Sequence, residues 1–103
     1  MHQVKEIGQI IASRKLVFVS DVGSKEDVLV NIGIPYEIND QKDCCCPYEI
    51  TSKSHSKLYG IIGIDPIQSL ELTLKTIKPE LDYWERKHKG KFHFLDEEGH
   101  CFT

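Results

Sequence analysis

Asp65-Pro66-Ile67-Gln68-Ser69-Leu70-Glu71-Leu72-Thr73-Leu74-Lys75-Thr76-Ile77-Lys78-Pro79-Glu80-Leu81-Asp82-Tyr83-Trp84-Glu85-Arg86-Lys87-His88-Lys89-Gly90 is the stretch that decides the fold. Apolar side chains recur at Ile67, Leu70, Leu74, Ile77, Leu81 and Trp84, alternating steps of three and four residues. That spacing is one continuous face of an α-helix. Asp65 suits the N-cap, Pro66 the first helical position, and Gln68 the place where a capping box wants Glu or Gln. Lys87, His88 and Lys89 favour the negative end of the helix dipole, and Gly90 suits a C-cap. The stripe continues through Pro79, which predicts a kink rather than a stop. Leu72 and Tyr83 lie on the opposite side, so something else has to cover them: a C-terminal hairpin or a partner.

Upstream of this helix the pattern changes to strands. Leu16 to Val19 is β-branched and aromatic. Asp21-Val22-Gly23-Ser24 reads as a turn. Val28, Val30, Ile32 and Ile34 then alternate as a half-buried strand that Pro35 ends. Residues 36–45 read as a polar, acidic loop. Cys46, Tyr48 and Ile50 share a face of a third strand, and Ser52 to Ser56 form the next turn. Leu58 to Ile64 is apolar on both faces, which predicts a central strand. The N-terminus is ambiguous, because Val4, Ile7 and Ile11 have helical spacing around the poor helix former Gly8. After the helix, Phe92 and Phe94 alternate, and Glu98-Gly99 can turn the chain into a short return strand, His100 to Phe102. The whole chain, residues 1–103, reads as a single α+β domain: an antiparallel meander of about four strands, one long helix packed across it, and a short C-terminal strand or hairpin.

The chain has 103 residues, 40% hydrophobic and 28% charged, with a net charge of −3. This is globular composition in the size of one domain. The acidic balance argues against a general nucleic-acid binder. The longest apolar run is far short of the ~20 residues of a membrane helix, and no basic-then-apolar signal segment opens the chain. A cytoplasmic protein with four reduced cysteines is expected. Acidic residues concentrate at 21–49, where seven acids stand against two bases, and again at Asp96-Glu97-Glu98. The one basic cluster, Arg86 to Lys91, closes the helix and reads as a solvated helix end.

Cys44-Cys45-Cys46 is the most unusual local feature. Structural zinc sites pair their cysteines as Cys-x2–4-Cys, twice over, and no such pair occurs here. A site assembled from Cys44, Cys46, His55, His100 and Cys101 is the metal or thiol alternative. The plainer reading has Cys46 as a small buried hydrophobe and Cys44 and Cys45 in a loop. No nucleophile stands in a recognisable setting and no glycine-rich phosphate loop is present, so no enzyme, metal or cofactor is expected. His93 reads as a solvent-facing strand residue and His88 as a cation at the helix end.

Cys46-Pro47-Tyr48-Glu49-Ile50, the Ile32-Gly33-Ile34-Pro35 strand end, and Gly63-Ile64-Asp65-Pro66-Ile67-Gln68-Ser69-Leu70 together resemble a family of small uncharacterised bacterial domains. Its members share a Cys-Pro-Tyr strand start and a Gly-x-Asp-x-x-Gln-(Ala/Ser)-Leu helix start. The resemblance spans roughly residues 10–90; it leaves out Cys44, Cys45 and the last dozen residues, and it implies no activity. In format the chain is similar to immunity proteins of toxin–immunity and contact-dependent growth inhibition systems. That similarity implies a stoichiometric inhibitor of a protein toxin. Nuclease toxins are basic because they bind phosphates, and an acidic surface steers them in. The expected contact residues are Glu37, Asp40, Asp43, Asp96, Glu97 and Glu98, with Tyr83 as an aromatic anchor.

Overall fold

The computed structural model describes residues 2–38 and 42–103. Eight strands and one helix follow in order: β1 (His2–Gln3), β2 (Ile10–Ser20), β3 (Lys25–Gly33), β4 (Tyr36–Glu37), β5 (Cys44–Thr51), β6 (Ser56–Gly63), α1 (Pro66–His88), β7 (Gly90–Phe94) and β8 (Glu97–Glu98). All strand pairs are antiparallel. The lateral order is β1-β6-β5-β3-β2-β7-β8, with β4 pairing β5 beyond the end of β3. The class is therefore α+β, with more strands than the sequence pattern predicts. No helix among the described residues is long and apolar enough to cross a membrane.

One face of the sheet is covered. Leu16 and Phe18 of β2, Val28, Val30 and Ile32 of β3, Cys46, Tyr48 and Ile50 of β5, and Phe92 of β7 point to it. They meet Ile77, Leu81 and Trp84 of α1. Phe18 packs edge-on against Phe92 at 5.1 Å and Trp84 at 6.4 Å, the arrangement aromatic quadrupoles prefer. The opposite face carries no helix. Across it runs a polar row: Ser13 donates to Asn31 at 2.5 Å, and Asn31 donates to Glu49 at 2.8 Å. These bonds satisfy Asn31, which is itself buried.

The helix begins as the sequence predicts. Asp65 is the N-cap and accepts from the Gln68 N–H at 2.7 Å, while the Gln68 side chain accepts from the Ile64 N–H at 2.8 Å. The helix is continuous through Pro79. Its buried stripe, however, is Ser69, Thr73, Ile77, Leu81 and Trp84, whereas Ile67 and Leu74 are exposed. The cause is close approach. A Cβ on Gly63 would lie 2.5 Å from the Ser69 nitrogen, so only small side chains fit where the helix starts over β6.

Other expectations are corrected. Cys44 and Cys45 lie in β5, not in a loop. Ile34 is exposed. β6 is not central: its outer neighbour is only the two-residue β1. Lys89, left-handed at φ 54°, ends the helix, and Gly90 instead opens β7. Gly90 must be glycine because a Cβ there would strike the Val19 carbonyl. The return strand is Glu97–Glu98, while His100 to Phe102 forms no strand. The C-terminal hairpin sits at the far sheet edge and leaves Leu72 and Tyr83 exposed.

Candidate functional site

The strands β4, β5 and β6 bring together residues that are far apart in sequence. Tyr36, Cys45 and Ile62 are register partners across the three strands, so they share the face that no helix covers. Cys45 is fully buried in the middle of this row, while Tyr36 and Ile62 are 41% and 43% exposed. Burial pushes the Cys45 thiol up, against the pull of its hydrogen bond with Tyr36. Burial and the same partner also raise the Tyr36 hydroxyl. In the next row Glu37, Cys44 and Gly63 are partners on the opposite face. The Cys44 thiol is raised first by burial and then by Glu37, Asp65 and Asp43, which places three carboxylates around it. This end of the molecule thus carries an aromatic and an aliphatic side chain on one face and acidic groups near Cys44 on the other.

The other expected contact residues lie elsewhere. Asp96, Glu97 and Glu98 form the β7–β8 hairpin, joined by Leu95 and Asp96 at φ 52° and 67°, both left-handed as a tight primed turn requires. That hairpin lies level with Val17 of β2, whereas Gly33, just before β4, pairs with Ile10. Seven residues of strand, roughly 23 Å at about 3.3 Å each, separate the two acidic groups. Tyr83 is exposed on α1, 5.9 Å from the charges of both Arg86 and Lys87. Its surroundings are basic, a poor match for a basic partner. Asp40 lies outside the described residues.

The cysteine triplet does not converge. Side chains alternate along β5, so Cys44 and Cys46 face one way and Cys45 the other. Cys46 contacts the Gly33 carbonyl at 3.7 Å, and burial raises its thiol as well. Cys101 is exposed, and all four cysteines are free. No three His, Cys, Asp or Glu among the described residues come together as metal ligands. His100 is engaged structurally. The Phe102 N–H donates to its Nδ1 at 3.1 Å, so Nε2 carries the proton and donates to Asp82 at 2.8 Å. The Arg14 guanidinium sits 4.7 Å over Phe94 and 4.5 Å over Phe102, and donates to the His100 and Cys101 carbonyls.

A family model described as "Domain of unknown function (DUF6968)" matches residues 12–103. The chain belongs to this family. No curated protein and no solved structure matches it. The DUF6968 match takes in Cys44 and Cys45 and reaches the C-terminus, so it is wider than the resemblance read from the motifs. The tail it includes is the segment that Asp82 and Arg14 pin to the sheet. Sequence reading missed Tyr36 and Ile62. Tyr36 stands in an acidic stretch that reads as loop, and Ile62 in a strand that reads as buried on both faces.

Proposed function

We propose that this DUF6968 domain works by holding another protein: an immunity protein that binds a basic bacterial toxin, most readily a nuclease domain, and blocks it stoichiometrically. The observation that carries this reading is the β4–β5–β6 end. There Tyr36 and Ile62 stand exposed on the sheet face opposite the helix, at the same end of the sheet where Glu37, Asp43 and Asp65 act on Cys44 from the other face. Binding energy at interfaces concentrates in a few aromatic and apolar anchors, and charge around them sets association rate and partner choice. A standard interface buries about 800 Å² per partner. One such footprint centred on Tyr36 is confined to this end of the sheet and does not reach the hairpin some 23 Å away.

The test is a pull-down with the product of the gene adjacent to this one, joined to a growth assay with and without this chain. A tight complex and restored growth support the immunity role. Absence of both refutes it.

A further inference from the structure

A second concave site lies between the β5–β6 turn and the last two turns of α1. It is a cleft of about 120 Å³, with Trp84 and Tyr83 from the helix and His55 from the turn among its walls. Lys57, Lys87 and His88, with Ser56 and the carboxylate of Glu80, complete its rim. The two imidazoles meet edge to face at 4.5 Å, and both stack on Trp84, at 5.2 Å for His55 and 5.5 Å for His88. Two imidazoles thus meet over Trp84, and two lysines line the same cleft, Lys87 with its ammonium 5.9 Å over Tyr83.

Two acids bear on the cleft: Glu26 is engaged outside it, and Glu80 lines it with only one of its two oxygens hydrogen-bonded. Ser54 donates its only hydroxyl proton to Glu26, at 2.9 and 3.0 Å from the two carboxylate oxygens. The same hydroxyl therefore accepts from His55 Nδ1 at 2.8 Å. This fixes the His55 tautomer with Nδ1 as the donor. Glu80 accepts from the Tyr48 hydroxyl at 2.6 Å, and its second oxygen is buried with no hydrogen-bond partner among the described residues.

We propose that this cleft binds a small oxyanion, a carboxylate or a phosphate- or sulfate-type group, held by Lys57, Lys87 and the two histidines against Trp84. The charge pattern supports it. Burial, then His55 and Lys87, hold His88 below its ordinary value, and Lys57 adds to this while Glu26 opposes it. An anion among these groups relieves their mutual repulsion and favours the charged imidazoles. The space suffices, since a single water needs only about 10–15 Å³ by the same kind of measure.

Trp84 is the only tryptophan in the chain, so its emission reports the cleft directly. The probes are sulfate and benzoate, whose charges are constant between about pH 6 and about pH 8. Both should change Trp84 emission saturably, with affinity falling at least about three-fold from the lower pH to the higher as the anion-favoured charge on His88 is lost. Tighter binding of benzoate assigns the site to organic acids; tighter binding of sulfate assigns it to phosphate-like groups. The combined Lys57→Ala and Lys87→Ala variant should bind at least about ten-fold more weakly with unchanged circular dichroism. His88→Gln should flatten the pH dependence. Emission that does not saturate with either probe at the lower pH, or a lysine variant that binds like wild type, overturns the proposal.

Discussion

At the residue scale, reactivity and fit follow from burial. Cys44, Cys45 and Cys46 are buried thiols whose ionisation burial disfavours, while Cys101 is exposed. The thiolate is the reactive form. An aromatic disulfide reagent should therefore modify Cys101 rapidly in the folded protein and the other three only on unfolding. Fast labelling of the triplet under native conditions would contradict this arrangement. Gly63 is the second residue with a sharp expectation. Its missing Cβ is the space occupied by the Ser69 backbone, which cannot swing aside as a flexible side chain can. Gly63→Ala should destabilise the domain by about 1–3 kcal/mol in urea unfolding. A neutral effect would mean that α1 does not approach β6 this closely.

At the scale of elements, the helix is anchored by its second half. Leu81 is fully buried against the sheet, whereas Leu74 is 40% exposed although both belong to the stripe read from the sequence. Leu81→Ala should cost about 2–5 kcal/mol, and Leu74→Ala less than about 1 kcal/mol. Equal losses at the two positions would restore the simple stripe. The first half of the helix is held differently. Ser69 donates to the Pro66 carbonyl and Thr73 to the Ser69 carbonyl, which satisfies both hydroxyls within the helix and lets small side chains face the sheet.

At the scale of the whole molecule, two properties are expected to be measurable. The first is the dependence of stability on pH. His88 is held below its ordinary value of 6.5, with burial as the largest cause. The unfolded chain therefore takes up this proton first, and stability falls as pH drops below about 6.5. Asp82 is held below its ordinary 3.8, first by the hydrogen bond from His100 and then by Lys78. Its contribution is present above about pH 4 and is lost as pH falls through the depressed value. Asp82 is partly exposed, so solvent screens this contribution. Urea midpoints measured across this range should decline in both windows, and Asp82→Asn should shrink the acidic one, leaving the part that Glu26, also held below its ordinary value, contributes; an acidic decline unchanged by Asp82→Asn would refute the pairing. The second property concerns partner binding. Reversing Glu37 and Asp43 to Lys should slow association about ten-fold at low salt, while reversing Asp96, Glu97 and Glu98 should change it little. The opposite ranking would move the binding surface to the β7–β8 hairpin.

Local physics made much of this fold readable in advance. The Asp65–Pro66–Gln68 helix start, the alternation of Val28, Val30 and Ile32, and the shared face of Cys46, Tyr48 and Ile50 depend on residues within a few positions of one another, and the structure has them as read. Where the chain had to fit a distant segment, the local reading failed. Ser69 and Thr73 face the sheet because Gly63 lets the helix close in. Lys89 ends the helix because Gly90 is needed against Val19. The row of Tyr36, Cys45 and Ile62, and the meeting of His55 with His88 over Trp84, exist only through strand register and helix docking. Sequence by itself determined the α+β class, the helix and the longer strands, because capping, propensity and periodicity are short-range; the two-residue strands β1, β4 and β8, which exist only through pairing, escaped it. Tertiary structure alone decided which side chains share a surface, because register and close packing couple residues that the chain keeps apart.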